Sequence, residues 1–207
     1  MPLTAADRGL LEAPAVEVAP LLLGAVLTHR TPDGEVAVRL TEVEAYSGLG
    51  EDPGSHAHRG RTPRNDVMFG DAGRLYTYFT YGMHTCANVV CLPPGSASGV
   101  LLRAGEVVAG EEVAARRRRG VRPRDLARGP ANLASALGIA LADGGADLLA
   151  DEAFALELGA PAADVRTGPR VGVSGAGGSD AFPWRFWLPD EPTVSAYRPA
   201  VRRVRTG

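Results

Sequence analysis

Apolar and polar residues alternate most cleanly over residues 36–46. Val36, Val38, Leu40, Glu42, Glu44 and Tyr46 fall on one side of a strand there, and Ala37, Arg39, Thr41, Val43 and Ala45 on the other. With residues 25–29 and the Thr31-Pro32-Asp33-Gly34 turn, this predicts a β-hairpin whose apolar stripe runs directly into two carboxylates and a tyrosine. A second hairpin is written in residues 74–90, two β-rich runs broken at Gly82-Met83 with Tyr81 at the tip. Tyr76 and Tyr78 share one face of it, and Leu75, Thr77 and Phe79 the other, so one face packs and the other is free to stack on something flat. Residues 100–104 predict a strand that places Arg103 where the apolar run ends. Residues 111–119 read as a helix, and residues 126–139 hold another that starts at Pro130 and stops at Gly138. Before the first hairpin, Pro14 and Pro20 predict a loop and a short helical turn from near Pro20 to near Gly24. Residues 144–158 predict a turn with a short strand or two, residues 170–173 and 184–188 late strands, and residues 48–64 a loop.

Length and composition narrow this to one domain over residues 1–207, since 207 residues at 45% hydrophobic content support one sizeable core. Cys86 and Cys91 are too few for a disulfide framework and fit a reducing cytoplasm. The apolar run at residues 21–27 is far shorter than the ~20 residues a membrane span needs, so no membrane or export segment is expected. All 22 basic residues are arginine, which removes the P-loop and every lysine Schiff-base chemistry. Net charge is −2, yet the charges segregate: Arg59, Arg61 and Arg64 cluster, as do Arg116 to Arg119 with Arg122, Arg124 and Arg128, and Arg198, Arg202, Arg203 and Arg205, while acids gather mainly between Asp143 and Asp164. Such a dipolar chain can offer a phosphate-binding face, with Arg59, Arg61 and Arg64 as candidate backbone-phosphate contacts and Arg116 to Arg119 as a solvated helix end or a flexible loop.

Two chemistries compete for the polar residues. Glu42 and Glu44 at the end of an apolar stripe are placed as enzymes place acids and bases, because a buried carboxylate must be paired. His56, His58, His84, Cys86 and Cys91 invite a zinc reading, but neither the paired C-x₂₋₄-C spacing of structural zinc nor the H-x-E with P-C-x-x-C of zinc deaminases is present. No metal is expected. The glycine-rich residues 172–178 lack G-x-G-x-x-G and G-x-S-x-G spacing and read as loop.

Several segments then occur together in order: Glu42-Val43-Glu44-Ala45-Tyr46, the His56 loop, Arg61-Thr62-Pro63-Arg64-Asn65 with Met68-Phe69, Tyr78-Phe79-Thr80-Tyr81-Gly82-Met83 through Asn88, Leu101-Leu102-Arg103-Ala104, Gly129-Pro130-Ala131-Asn132-Leu133 and Arg170-Val171-Gly172-Val173. Over nearly its whole length the chain resembles the alkyladenine DNA glycosylases, the 3-methyladenine DNA glycosylases of the mammalian type. The resemblance implies one α+β domain with a curved, largely antiparallel β-sheet or open barrel, flanking helices and a protruding β-hairpin that enters the DNA minor groove. It implies excision of alkylated or deaminated purines from double-stranded DNA, without a cofactor, by a monomer working at the cytoplasmic nucleoid. By the same resemblance Glu44 activates water with Arg103 beside it; Tyr46, His56 and Tyr78 hold the flipped base; Asn88 guards the pocket; and Tyr81 fills the gap left in the duplex. The loop before Arg61 holds an additional residue, which makes His58 a rival to His56, and Asn132 stands where the family commonly has lysine. A non-catalytic nucleic-acid-binding module would not need Glu44, and a metal hydrolase would lose its activity to a chelator.

Overall fold

The computed structural model describes residues 1–80, 82 and 84–200. Tyr81 therefore lies outside the described residues, as do Arg202, Arg203 and Arg205. Among the described residues the chain forms eight strands and three α-helices: α1 (Ala15–Leu22), β1 (Val26–Thr31), β2 (Gly34–Tyr46), β3 (Leu75–Thr80), β4 (His84–Cys91), β5 (Ser98–Ala109), α2 (Glu111–Arg117), α3 (Pro130–Leu137), β6 (Phe154–Glu157), β7 (Arg166–Gly168) and β8 (Arg185–Trp187). All strand pairs are antiparallel, in the order β3-β4-β5-β2-β1-β6, with β8 joining β2 to β7. The result is the expected α+β fold with a curled, antiparallel, partly closed sheet.

Local chemistry explains most boundaries. Gly34 takes a positive φ of 127° at the β1–β2 turn, and the Thr31 hydroxyl donates to its carbonyl at 2.9 Å. Pro130 opens α3, and Gly138 ends it in the left-handed region. The first helix begins earlier than its prolines suggest. Ala15, Val18, Ala19 and Leu22 recur at helical spacing and are all buried, and the free Ala15 amide donates to Ser98 Oγ at 3.0 Å, so packing carries the helix through Pro20. Residues 170–173 are not a strand. The β7 strand precedes them, and the chain turns at Gly172, where φ is 71°, because Arg170 is drawn inward to a buried carboxylate.

The sheet has two different faces. Helices α1 and α3 pack on one, over Leu75, Ala87, Val89, Val100, Leu102, Val43 and Ala45. The other face carries a smaller apolar cluster of Tyr76, Val90, Ala97, Ala57, Met68 and Phe69, with Tyr78 against it. Strand β2 does not keep one face throughout, contrary to the simple alternation. Val36, Val38 and Leu40 belong to the helix-side core, but beyond them the core residues are Val43 and Ala45. The β2–β5 register shifts on both sides of Glu42, and neither Thr41 nor Arg103 has a counterpart in that ladder. At the same place β2 exchanges its outer neighbour β1 for β8, which pairs with Glu42, Val43 and Glu44. A local irregularity of this kind re-aims side chains. Glu42, Glu44 and Tyr46 consequently stand on the face away from the helices. Arg103 lies in the middle of β5, at the irregularity, instead of where an apolar strand ends.

Candidate active site

Cross-strand pairing brings Glu44 of β2 opposite Leu101 of β5, Leu101 opposite Asn88 of β4, and Asn88 opposite Tyr76 of β3. Partners directly opposite in a ladder share a face, so this row crosses four strands on the face away from the helices. Tyr46 and Tyr78 flank it on the same face by their two-residue spacing from Glu44 and Tyr76.

Glu44 is fully buried, and among the described residues every polar partner of its carboxylate is a donor. The Tyr46 hydroxyl donates to Oε2 at 2.8 Å, the Val171 amide donates to Oε1 at 2.7 Å, and Arg103 Nη1 lies 3.3 Å from Oε1. Arg103 also donates from Nε to Glu42 Oε1 at 2.9 Å, so one guanidinium spans both carboxylates of the strand. Burial presses against its charge, yet the charges of Glu44 and then Glu42 raise its pKa above the ordinary arginine value. Burial first, then the Glu44 charge, push the Tyr46 hydroxyl well above the usual tyrosine range, which leaves it a protonated donor.

The remaining predicted pocket residues converge beside this pair. His56 meets Tyr78 edge-on with ring centroids 4.6 Å apart, and its Nδ1 lies 3.1 Å from the Tyr76 hydroxyl. Tyr76 and Tyr78 stack at 5.7 Å. One edge of His56 remains exposed, but burial first and the Arg64 charge second hold its imidazole below the usual histidine value. His58 does not join the tyrosines, and its Nδ1 is buried without a protein partner among the described residues. Burial, followed by the neighbouring Cys86 thiol and then Glu44, raises the Tyr78 hydroxyl far above its ordinary value. Asn88 is buried, and its amide donates to the Tyr76 carbonyl at 3.1 Å, which fixes the side chain at the edge of the aromatic wall.

The three loop arginines border the same face without entering it. Arg64 donates to the Phe79 carbonyl at 3.2 Å and lies over the Tyr78 ring; Arg61 pairs with Asp66 and lies over Phe69; Arg59 is exposed. His84, Cys86 and Cys91 do not gather with the loop histidines. Among the described residues, no three His, Cys, Asp or Glu side chains form a group able to hold a metal ion.

A buried carboxylate beside an aromatic cleft suits several hydrolases, and comparison with known proteins decides among them. Residues 9–192 match the methylpurine-DNA glycosylase (MPG) family. The chain belongs to that family. It is 62% identical over 191 residues to a Leifsonia xyli protein named "Putative 3-methyladenine DNA glycosylase", an alignment that covers 90% of this chain and 89% of that one. Proteins of the same name from Streptomyces avermitilis and Nocardia farcinica are 53% and 57% identical, over 98% and 87% of this chain and 96% and 86% of theirs. The glycosylase thus hydrolyses N-glycosyl bonds, and its substrate is DNA.

Other contributors to the site gave little or no signal in the sequence. Arg170 is completely buried and clamps Asp52 with two bonds of 2.6 Å, while also donating to the carbonyls of Ala45 and Gly177. Its guanidinium lies 4.4 Å from the centre of the Tyr46 ring. Asp52 in turn accepts the Ser47 and Gly54 amides. This clamp joins the His56 loop to the 170s loop and so presents the Val171 amide to Glu44. The glycine-rich stretch serves the same junction: a Cβ on Gly177 would stand 2.5 Å from the Gly54 nitrogen. Glu42, finally, is a fully buried hub held by Arg103, Arg185 and Ser195. Glu42 stands out in the sequence as a carboxylate that needs a partner, but of the Asp52–Arg170 clamp only the adjacency of Arg170 to Val171 in a family segment gives a hint.

Proposed function

We propose that the glycosylase extrudes alkylated or deaminated purines from duplex DNA and hydrolyses the N-glycosidic bond with a water activated by Glu44, leaving an abasic site. One observation carries the reading: a fully buried carboxylate, whose polar partners among the described residues are all donors, stands on the same sheet face as a wall of Tyr46, Tyr78 and His56. A base inside a duplex is out of reach of such a group, so the nucleotide must leave the stack, at an unstacking cost of a few kcal/mol that is least for damaged bases. Flat pocket walls recover part of that cost by stacking, and a wedge at the hairpin tip recovers more. Tyr81 has the wedge role by its position in the sequence. Arg59, Arg61 and Arg64 follow the phosphates from the adjoining loop.

The chemistry asks for one base on the sugar side: a cationic N-alkylated purine departs as a neutral molecule with little help, whereas hypoxanthine departs as an anion and takes up its proton from water. Glu44 takes the proton, and Arg103 orients it and balances its charge. No cofactor enters this scheme. The direct test is incubation of the purified protein, with a chelator present, with duplexes containing hypoxanthine or an alkylated purine. Released free base supports the scheme, intact DNA that is bound but not processed favours a binding module, and chelator-sensitive release favours a metal hydrolase.

Two further results are expected. Borohydride should trap no covalent protein–DNA adduct during turnover, because the chain has no lysine to attack the sugar. A trapped adduct would point to the Pro2 secondary amine, exposed on removal of Met1. Asn88→Ser should raise excision of guanine-derived bases relative to hypoxanthine. Guanine carries an amino group at C2 where adenine and hypoxanthine carry hydrogen, and a fixed amide at the pocket edge excludes it by conflict. Release rates from matched duplexes measure the ratio, and an unchanged ratio removes Asn88 from the pocket.

A further inference from the structure

Residues 191–198 form no helix or strand, yet they are bound down along one side of β2 by a succession of side chains. Arg39 Nη2 donates to Glu191 Oε1 at 2.8 Å, the hydroxyls of Thr41 and Thr193 meet at 2.8 Å, and the Ser195 amide donates to Glu42 Oε2 at 2.7 Å. Two more arginines hold the backbone between these points: Arg128 donates to the Val194 carbonyl at 2.9 Å and Arg185 to the Ser195 carbonyl at 2.8 Å. At the far end the Gly172 amide donates to the Arg198 carbonyl at 2.9 Å, which ties the segment to the loop that delivers the Val171 amide to Glu44.

The decisive contacts belong to the Ser195 hydroxyl. It donates to Glu42 Oε1 at 3.0 Å and accepts from Arg103 Nη2 at 3.1 Å. Arg103 Nε is spent on the same Glu42 oxygen at 2.9 Å. With Nε and Nη2 both engaged there, the planar guanidinium has one orientation, in which Nη1 is turned to Glu44 Oε1. Without Ser195 the fork would keep its Nε bond to Glu42 and only the longer 3.3 Å approach of Nη1 to Glu44; the contact at Nη2 fixes the plane between them.

We propose that residues 191–198 are a strap that positions the reacting pair, with Ser195 as its positioning residue: the hydroxyl fixes the Arg103 guanidinium against Glu42 and thereby sets its remaining arm on Glu44. The proposal rests on the reading of Glu44 and Arg103 as the reacting pair. Ser195 touches neither carboxylate oxygen of Glu44, so its effect passes wholly through Arg103. The hydroxyl is not needed for the strap to stay in place, because the backbone bonds of Val194, Ser195 and Arg198 are independent of it.

The experiment is single-turnover excision of hypoxanthine from a duplex by the full chain carrying Ser195→Ala or Ser195→Thr, alongside the unaltered protein and Glu44→Gln. Ser195→Ala should slow excision about tenfold, the scale of one hydrogen bond to a charged group. Affinity for the lesion duplex should stay within about twofold, and melting should fall by no more than about 6 °C, leaving the protein folded at the assay temperature, since Glu42 keeps Arg103, Arg185 and the Ser195 amide. Ser195→Thr, which keeps the hydroxyl, should restore most of the rate. Excision by Ser195→Ala at the unaltered rate, a loss explained by weaker duplex binding or a smaller folded fraction, or no recovery with Thr, would each overturn the strap while leaving Glu44 as the base. Failure of the unaltered protein to release base overturns the glycosylase scheme, and the strap with it.

Discussion

Glu44→Gln is expected to lower the single-turnover rate of base release by about 10²–10⁴-fold, the range a positioned general base contributes, while the variant folds and binds lesion DNA almost as before. The geometry makes the amide a clean test. Its oxygen can still accept from the Val171 amide and Arg103, where Glu44 Oε1 now stands, and its NH₂ can donate to the Tyr46 hydroxyl, which is able to accept as well. What the amide cannot do is take a proton from water. Release rates at saturating protein, together with a duplex-binding isotherm, separate the two effects. A Glu44→Gln variant that still excises would disprove the assignment. Glu42→Gln probes a different quantity, because its carboxylate compensates two buried arginines, and its main effect should be on melting.

The largest stability effect is expected at Asp52. Asp52→Ala leaves the fully buried Arg170 without its only carboxylate among the described residues and frees the loop amides of Ser47 and Gly54. Removing one partner of a buried pair costs about 3–5 kcal/mol because a buried charge is left uncompensated. For a chain of this length that corresponds to a melting temperature lower by about 6–20 °C, at about 2–4 °C per kcal/mol. Joint replacement Asp52→Ala with Arg170→Met should recover a substantial part, since both charges are then gone. A single variant that melts within about 2 °C of the unaltered protein would mean that Arg170 is satisfied by the carbonyls of Ala45 and Gly177 alone.

Both hairpins were legible because their signals are local: Gly34 and its neighbours write one turn, and the alternation of Tyr76 and Tyr78 with Leu75 and Thr77 writes the other. The caps of α3 were legible for the same reason. Glu44, Tyr46, His56, Tyr78 and Asn88 could be named from family segments, and the fold does bring them to one face. The exchange of faces at Thr41 could not be read, because a shift in register is a property of two strands and period-two counting along β2 sees only one. The carboxylates therefore appeared to continue the apolar stripe of Val36, Val38 and Leu40, whereas they oppose it. The Asp52–Arg170 clamp was equally hidden: its partners are 118 positions apart, and in their own neighbourhoods Asp52 looks like an ordinary loop residue and Arg170 like the start of a strand. Residues 170–173 have strand-like composition, but a buried ion pair outweighs the β-propensity of two valines.

Charges in this molecule fall into two populations that respond differently to ionic strength. Glu42, Glu44, Arg103 and Arg185 are buried and cancel, two negative against two positive, while Arg59, Arg61 and Arg64 stand at the exposed rim. Mobile ions screen the rim within a Debye length of about 8 Å at physiological salt and reach the enclosed set far less. If the rim arginines hold the phosphates and the enclosed set does the chemistry, as proposed, salt should act on how often the protein meets and holds DNA and hardly at all on bond cleavage. On that reading search and chemistry are insulated from each other within a single small domain, and the surface could tune the first to its surroundings without disturbing the second.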